Sequence, residues 1–166
     1  MDEISKIDMT KIVYVDESGM NDNDFCPYAY SAIGKRHYEA HPGHYTKRIS
    51  MIAGLCAKKL MAPFMFEGHC NTTVFELYVK HILAPTLEVG MVVVIDNASF
   101  HKSKKIRQLI EDVGAKLIFL PPYSPDLNPI EKWWHKIKTA IRKIMRDTNV
   151  VLEQAMGNIL KNMSVC

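Results

Sequence analysis

A run of five apolar residues, Met91 to Ile95, restricts the folds open to this chain. Continuous β-branched residues predict a strand buried on both faces, and such a strand belongs in a sheet that helices cover on both sides. Asp96 ends the run, a predicted helix extends from Ser103 to Gly114, and a second buried strand is predicted from Ala115 to Leu120. Strand, helix and strand in this order predict a parallel crossover.

The segments before this crossover predict further strands. Lys11 to Asp16 alternates along its length and breaks at Ser18-Gly19, and three more extended runs follow at 28–33, 48–55 and 60–66. From these four runs we expect three antiparallel strands, with the last run as an extension or an edge.

The other regular elements are predicted to be helices. Asn71-Thr72-Thr73 offers an N-cap, with Glu76 completing a capping-box pattern three residues after Thr73, for a helix that Pro85 stops. A long helix is predicted at 129–146, and a weaker one at about 151–162. The order is therefore β-β-β-α-β-α-β-α. It predicts an α/β fold in one domain, residues 1–166, with a mixed sheet flanked by helices.

Composition excludes several classes of protein. With 48% hydrophobic and 23% charged residues, the chain resembles ordinary globular proteins. No apolar run approaches the roughly 18 residues of a membrane span, and no export signal is present, so we expect a cytosolic protein. The four scattered cysteines favour reduced thiols over a zinc site or disulfides. The net charge is only +3, but positive charge is concentrated between Lys132 and Arg146.

Three carboxylates are predicted to stand where elements end or begin. Asp16 and Asp96 end strands, and Glu131 lies in the first turn of the helix after a proline-rich loop. Like charges raise one another's pKa, and a divalent cation removes that cost. Because such oxygen ligands suit Mg²⁺ or Mn²⁺, the pattern predicts a metal site for phosphodiester chemistry, with Asp16 as the bridging ligand.

Each acid also has a purely structural interpretation. Asp96 can cap the turn after its strand, and Asn128 at the N-cap would make Glu131 part of a capping box. Glu17 could replace its neighbour Asp16 as the ligand. The spacing of apolar residues does not decide between these alternatives.

The long helix has two faces of different character. Ile130, Trp133, Ile137 and Ile141 have core-facing spacing, whereas the position of Trp134 stays undecided. The polar residues of this helix would either follow a DNA backbone or form a solvated basic face. These residues are Lys132, His135, Lys138 and Arg142.

Further polar residues are candidates for supporting the site. His101 could approach the scissile phosphate or make a hydrogen bond at the helix entry, and Asn97 could orient a ligand or form the turn. Tyr123 would shape the proline-rich loop or contact a phosphate. Three histidines, His37, His41 and His44, lack cysteine partners, which disfavours a zinc cluster.

Three motifs together resemble the catalytic triad of the DDE transposases. They are YVDESG with Asp16, VIDNASFHKS with Asp96, and LPPYSPDLNPIEKWWHKIK with Glu131. Thirty-four residues separate Asp96 from Glu131, the spacing for which the bacterial insertion-sequence branch of the mariner-like superfamily is named. The likeness extends from Tyr14 to Arg142.

This resemblance implies a ribonuclease H-like fold in which Asp16, Asp96 and Glu131 bind two Mg²⁺ or Mn²⁺ ions. It implies metal-dependent cleavage of DNA at transposon inverted-repeat ends and transfer of the freed 3′-hydroxyl into TA target DNA. It also implies a homodimer when two transposon ends are joined, working in the bacterial cytosol on the nucleoid.

One feature departs from the family pattern. Helix-turn-helix modules normally precede the catalytic domain, whereas Asp16 stands near the start of this chain. We therefore expect a catalytic domain alone, either from a truncated gene or from the second reading frame of an element whose first frame supplies a helix-turn-helix partner. The alternatives are an inactive DNA-binding or assembly remnant of an insertion sequence, and a resolvase or other nuclease of the same fold.

Overall fold

The computed structural model describes residues 7–21, 33–35, 47–122 and 124–164. They form a five-stranded sheet with the strand order β3-β2-β1-β4-β5. Strands β1, β2 and β3 pair antiparallel, whereas β4 pairs parallel with both β1 and β5. The strands are β1 (Ile12–Asn21), β2 (Arg48–Cys56), β3 (Lys59–Glu67), β4 (Val92–Ile95) and β5 (Lys116–Phe119). The predicted ribonuclease H-like mixed sheet, antiparallel strands first and parallel strands after, is thereby confirmed.

Strand β1 is longer than predicted. The expected break at Ser18-Gly19 does not occur, because Gly19 continues the pairing and lies opposite Ser50 of β2. The missing side chain leaves room for Arg48, since a Cβ on Gly19 would lie 2.4 Å from the Arg48 Nη2 atom. The strand predicted at 28–33 falls outside the described residues except for its last position, which lies in a turn.

Among the described residues, four α-helices cover the sheet, two on each face. Helices α1 and α2 pack on one face against Val13, Val15 and Ile52, whereas α3 and α4 pack on the other face against Met20 and Met51. The helices are α1 (Thr72–Tyr78), α2 (Lys104–Glu111), α3 (Ile130–Thr148) and α4 (Leu152–Ser164). Both faces of β4 are consequently buried, as its apolar sequence predicts. No helix in the described parts of the chain is long and apolar enough to cross a membrane.

The start of α1 confirms the N-cap predicted within Asn71-Thr72-Thr73 but not the capping box. The N-cap is Asn71, whose side-chain oxygen accepts a hydrogen bond of 3.0 Å from the Val74 backbone N–H. Glu76 instead accepts hydrogen bonds from Ser103 and Lys105 at the start of α2. The predicted pairing of Thr73 with Glu76 is therefore wrong, because a tertiary contact takes the Glu76 carboxylate.

Candidate active site

The sheet brings two of the predicted acids together beside the end of β4. Asp16 does not end its strand as predicted, because β1 continues to Asn21. Val15 of β1 pairs with Ile95 of the parallel strand β4, so the residues that follow, Asp16 and Asp96, are neighbours. Glu131 reaches this place from the first turn of α3. All three side chains line one cleft of about 400 Å³, which we call the carboxylate cleft. Its wall includes Asn97, Ser124, Asn128 and the Pro121-Pro122 pair.

The donor atoms in this cleft suit a hard divalent cation. Within the described residues, no three His, Cys, Asp or Glu side chains are gathered closely enough to hold an ion as they stand. The cleft nevertheless offers three carboxylates and two amide side chains, which are the oxygen ligands that Mg²⁺ and Mn²⁺ prefer. One of these oxygens, Asn128 Oδ1, is buried without a hydrogen-bond partner among the described residues.

Asp16 is held in an environment that disfavours its charge. Only 7% of the residue is exposed, and its Oδ2 atom accepts a hydrogen bond of 2.9 Å from Trp134 Nε1. Burial, together with the charges of Glu17 and Glu131, raises the pKa of Asp16 to about 7, although the Trp134 bond opposes this rise. A cation bound in the cleft would offset these terms and stabilise the ionised form.

The structure distinguishes Asp16 from Glu17, which the sequence left as an alternative ligand. Successive side chains of a strand point to opposite faces of the sheet. Asp16 faces α3 and lines the carboxylate cleft, whereas a Glu17 oxygen lies 3.3 Å from His101 Nε2 on the α1 and α2 side. Of the two acids, Asp16 is therefore the one that lines the cleft.

His101 is a buried link between two carboxylates. It has no exposed surface, and its Nδ1 atom lies 2.5 Å from Asp96 Oδ1. The rings of Phe75 and Phe100 enclose it, each with its centroid 4.2 Å away. The predicted approach of His101 to a phosphate is therefore wrong, because neither ring nitrogen reaches solvent. The predicted hydrogen bond at the helix entry is present, and it fixes the Asp96 carboxylate.

The charges around His101 shift two pKa values in opposite directions. Burial works against the charged ring, but the hydrogen bond with Asp96 and the nearby charges of Glu17 and Asp96 outweigh it and raise the pKa of His101 to about 9. The His101 hydrogen bond in turn lowers the pKa of Asp96. Asp96 also accepts a 3.0 Å hydrogen bond from the Ala98 backbone N–H. The Asp96 side chain therefore stabilises the turn after its strand and also lines the cleft.

Glu131 does not belong to a capping box. The N-cap of α3 is Pro129, and no side chain caps this helix. Asn128 contributes only its backbone oxygen, which accepts a 3.2 Å hydrogen bond from the Glu131 N–H. The capping-box prediction fails because the proline-rich loop turns the Asn128 side chain into the wall of the cleft. The Glu131 carboxylate is consequently exposed and available to a ligand.

Trp134, rather than Trp133, is the core residue of α3. Ile130, Trp134, Ile137 and Ile141 form the buried stripe, and Trp134 is 2% exposed, whereas Trp133 is half-buried at its flank. The stripe follows steps of four, three and four residues, the usual spacing of a core-facing helix. That spacing was visible in the sequence and would have identified Trp134. Its hydrogen bond to Asp16 carried no sequence signal.

The remaining predicted residues lie in different places. Asn97 lines the carboxylate cleft, and Lys132 and His135 are exposed on α3. Lys138 and Arg142 are half-buried and interact with other groups of the protein. Tyr123 and the histidines at 37, 41 and 44 lie outside the described residues.

Trp134→Phe should weaken divalent-cation binding at pH 7 without leaving a large cavity in the core. The phenyl ring keeps most of the buried volume, but Asp16 loses the donor that lowers its pKa. We expect the affinity for Mn²⁺ to fall roughly 10-fold at pH 7, in the range typical of lost partners of metal ligands. The loss should be smaller at pH 8.5, where Asp16 is ionised in both proteins.

Titration calorimetry with Mn²⁺ at both pH values tests this expectation. Trp133→Phe is the matched control, because Trp133 is not the tryptophan that donates to Asp16. Equal Mn²⁺ affinities for the wild type and Trp134→Phe would show that the Trp134 hydrogen bond is not coupled to cation binding.

The sequence and the fold both have relatives. Residues 11–150 match the family described as DDE superfamily endonuclease. A curated relative, the uncharacterized protein y4pE/y4sA of Sinorhizobium fredii, is 28% identical over 86 residues, which cover 51% of this chain and 61% of the relative. The chain thus spans less than two thirds of that relative's length.

Three solved complexes have a similar fold. The Mos1 transposase paired-end complex with left transposon end has a TM-score of 0.64 at 17% identity, covering 84% of this chain and 44% of that one. The Mos1 mariner paired end complex with Mn has 0.60 at 16%, covering 96% and 54%. The corresponding complex with Mg has 0.61 at 14%, covering 98% and 55%. At these identities the likeness is one of fold, and this chain spans about half of each.

Proposed function

This chain belongs to the DDE superfamily endonucleases, and on that premise we propose that it is the catalytic domain of a DNA transposase. Its membership confirms the family predicted from the three motifs. The proposed activity is metal-dependent cleavage of DNA at transposon inverted-repeat ends and transfer of the freed 3′-hydroxyl into TA target DNA. One observation carries the proposal: Asp16, Asp96 and Glu131 come from three separate elements and line one cleft.

In this proposal the three carboxylates hold two divalent cations, Mg²⁺ or Mn²⁺. Bound there, such ions would lower the pKa of the attacking hydroxyl or water and stabilise the leaving oxygen. The Mos1 complexes with Mn and with Mg support this choice of metals. Trp134 holds Asp16 and His101 holds Asp96 by hydrogen bonds, so the protein presents these two ligands in fixed orientations.

The bond changes of the two proposed reactions are alike. In cleavage, a water oxygen bonds to the phosphorus of the scissile phosphodiester while the bond from phosphorus to the 3′-oxygen breaks. The water gives up a proton, and the departing 3′-oxygen takes one up. In strand transfer, the freed 3′-hydroxyl replaces water as the nucleophile and the target strand releases its own 3′-oxygen.

DNA is the proposed partner, as it is for the Mos1 paired-end complex with its transposon end. Exposed Lys132 and His135 on α3 would contact the phosphate backbone beside the cleft. Lys138 and Arg142, which are half-buried, would add positive charge to the same DNA-binding face of α3. We further propose a homodimer at paired ends and a helix-turn-helix partner that recognises the inverted repeats.

Asp96→Asn should abolish metal-dependent nicking of supercoiled DNA. The substitution removes a cleft carboxylate at almost constant volume, and we expect the rate with Mg²⁺ to fall at least about 100-fold, since metal-site electrostatics dominate this chemistry. The conversion of supercoiled plasmid to open circles measures the rate. Asp126→Asn, at an exposed acid that does not line the cleft, is the matched control. Nicking that survives in Asp96→Asn would argue against the proposed function.

A comparison of substrates separates transposition from related activities. The wild type should cleave duplexes that carry inverted-repeat ends in preference to four-way junctions and RNA/DNA hybrids. Preferential cleavage of junctions would reassign the site to a resolvase, and preferential cleavage of hybrids would reassign it to a ribonuclease.

A further inference from the structure

A second concave surface lies on the α3 face of the sheet. It has a volume of about 560 Å³, and its wall comes from β1, the turn between β2 and β3, and the start of α3. Among the described residues that line it, none is acidic. We call it the lysine groove and define it by Tyr14, Leu55, Lys58, Lys132, Trp133 and Lys136.

The lysine groove combines free positive charge with aromatic surface. Lys58 and Lys132 are exposed and form no ion pair within the described part of the chain. Lys105 on α2, by contrast, is paired with Glu76 at 2.8 Å. The Lys136 ammonium lies 5.6 Å from the centroid of the Trp133 ring. A ligand that complements this surface needs both a flat aromatic part and a negative charge, and a nucleotide has both.

The lysine groove also lies close to the carboxylate cleft. Tyr14 lines the groove and Asp16 the cleft from the same face of β1, and two residues of a strand span ~7 Å. On α3, Lys132 of the groove directly follows Glu131 of the cleft. A DNA strand with one phosphate in the cleft can therefore bring an adjacent nucleotide to the groove.

We propose that the lysine groove binds an unpaired nucleotide of the DNA strand whose phosphate occupies the carboxylate cleft. The base stacks on Trp133, and the phosphate lies among Lys58, Lys132 and Lys136. A paired base inside a duplex cannot do so, because its neighbours in the stack cover both of its faces. The groove therefore recognises frayed or single-stranded DNA beside the cleavage point. This inference rests on the proposed function for the identity of the nucleic acid.

Replacing Lys58, which lies in a tight turn, should raise the stability of the protein while it weakens DNA binding. Ala57 and Lys58 join β2 to β3 with φ of 47° and 65°. Glycine and asparagine adopt such positive φ values more readily than alanine or lysine does. Lys58→Gly should therefore raise the melting temperature while removing a groove charge. A general loss of structure could not produce weaker binding together with higher stability.

Fluorescence anisotropy of labelled DNA in EDTA tests the proposal without cleavage. One duplex is blunt, and two others carry three unpaired thymidines at the 5′ or the 3′ end. We expect the wild type to bind one overhang roughly 10-fold more tightly than the blunt duplex, the effect of about one stacked base. Trp133→Ala and Lys58→Gly should reduce this preference to less than about 2-fold, Trp133→Phe should retain much of it, and Lys104→Ala, on α2, should leave it unchanged.

The outcomes separate the groove from the catalytic proposal. Asp96→Asn should keep the overhang preference, so nicking tests the proposed function and the overhang preference tests the groove. The groove proposal is overturned if neither overhang binds more tightly than the blunt duplex, or if Trp133→Ala and Lys58→Gly both retain the preference. It is also overturned if these variants change only the monomer–dimer equilibrium in light scattering, because the occupant would then be a second copy of the chain.

Discussion

Asp16→Asn should raise the free energy of unfolding of the metal-free protein at pH 8, although it removes a proposed catalytic group. At that pH the wild type holds an ionised carboxylate that is 7% exposed and lies near the charges of Glu17 and Glu131. Raising the pKa of Asp16 from 3.8 to about 7 corresponds to a cost of roughly 4 kcal/mol. Asparagine removes that charge at similar volume and still offers Trp134 Nε1 an acceptor, so we expect a gain of about 1–4 kcal/mol.

The pH dependence of the gain follows from the direction of the shift. The folded protein binds the Asp16 proton more tightly than the unfolded chain does, so this contribution to stability is present below about pH 4. It is lost as the pH rises to about 7, the pKa in the folded state. Urea unfolding of the wild type should show this decline, and the difference from Asp16→Asn should grow over the same range.

Cation binding should offset the stability difference between Asp16→Asn and the wild type. Saturating Mg²⁺ should stabilise the wild type by ~2.7 kcal/mol at a concentration 100 times its dissociation constant, but it should not stabilise Asp16→Asn. Asp112→Asn, at an exposed carboxylate after α2, should change neither quantity by more than about 0.5 kcal/mol. An Asp16→Asn protein that is less stable at pH 8, or that Mg²⁺ stabilises like the wild type, would contradict the assigned environment of Asp16.

His101→Ala is expected to be among the most destabilising single substitutions in this protein, with a loss of about 3–5 kcal/mol at pH 6, because it empties a fully buried site and removes the charged partner of two partly exposed carboxylates. The ring fills a site with no exposed surface and links Asp96 to Glu17. Its removal leaves a cavity and two carboxylates without their shared partner. Chemical unfolding monitored by circular dichroism measures the loss.

The stabilisation by His101 should depend on pH in a defined direction. Because the folded-state pKa is raised from 6.5 to about 9, the stabilisation is fully present below about pH 6.5 and is lost as the pH rises through 9. The corresponding free energy is roughly 3 kcal/mol. The wild type should therefore lose stability over this range, whereas His101→Ala should not show this component.

Two further variants separate the causes of this loss. His101→Gln fills part of the cavity and can still donate one hydrogen bond, so its stability should lie between those of the wild type and His101→Ala. His135→Ala removes an exposed histidine of α3 and should cost less than about 0.5 kcal/mol. If His101→Ala costs under about 1 kcal/mol, the link between the two carboxylates does not stabilise the fold.

Local patterns in the sequence determined the order of the described elements and the segments that carry the three acids. The apolar run before Asp96 predicted a strand covered on both faces, and β4 is buried throughout. Asp96 follows the end of β4 and Glu131 lies in the first turn of α3, as predicted, whereas Asp16 lies within β1, which continues to Asn21. The three acids line the same cleft because β1 and β4 pair in parallel and place Asp16 beside Asp96. These features depend on short-range periodicity and on chain connectivity, which the order of residues encodes directly.

Only the tertiary structure decided which of two neighbouring residues, Asp16 or Glu17 and Trp133 or Trp134, belongs to the carboxylate cleft or its hydrogen bonds. Alternation along β1 shows that Asp16 and Glu17 face opposite sides, but which side α3 covers depends on packing between distant segments. The same packing buries Trp134 and brings its N–H to Asp16, 118 residues away in the chain. His101, close to Asp96 in sequence, could not be assigned without the Phe75 and Glu17 contacts that enclose it. Such contacts depend on how whole elements stack, so no local pattern contains them.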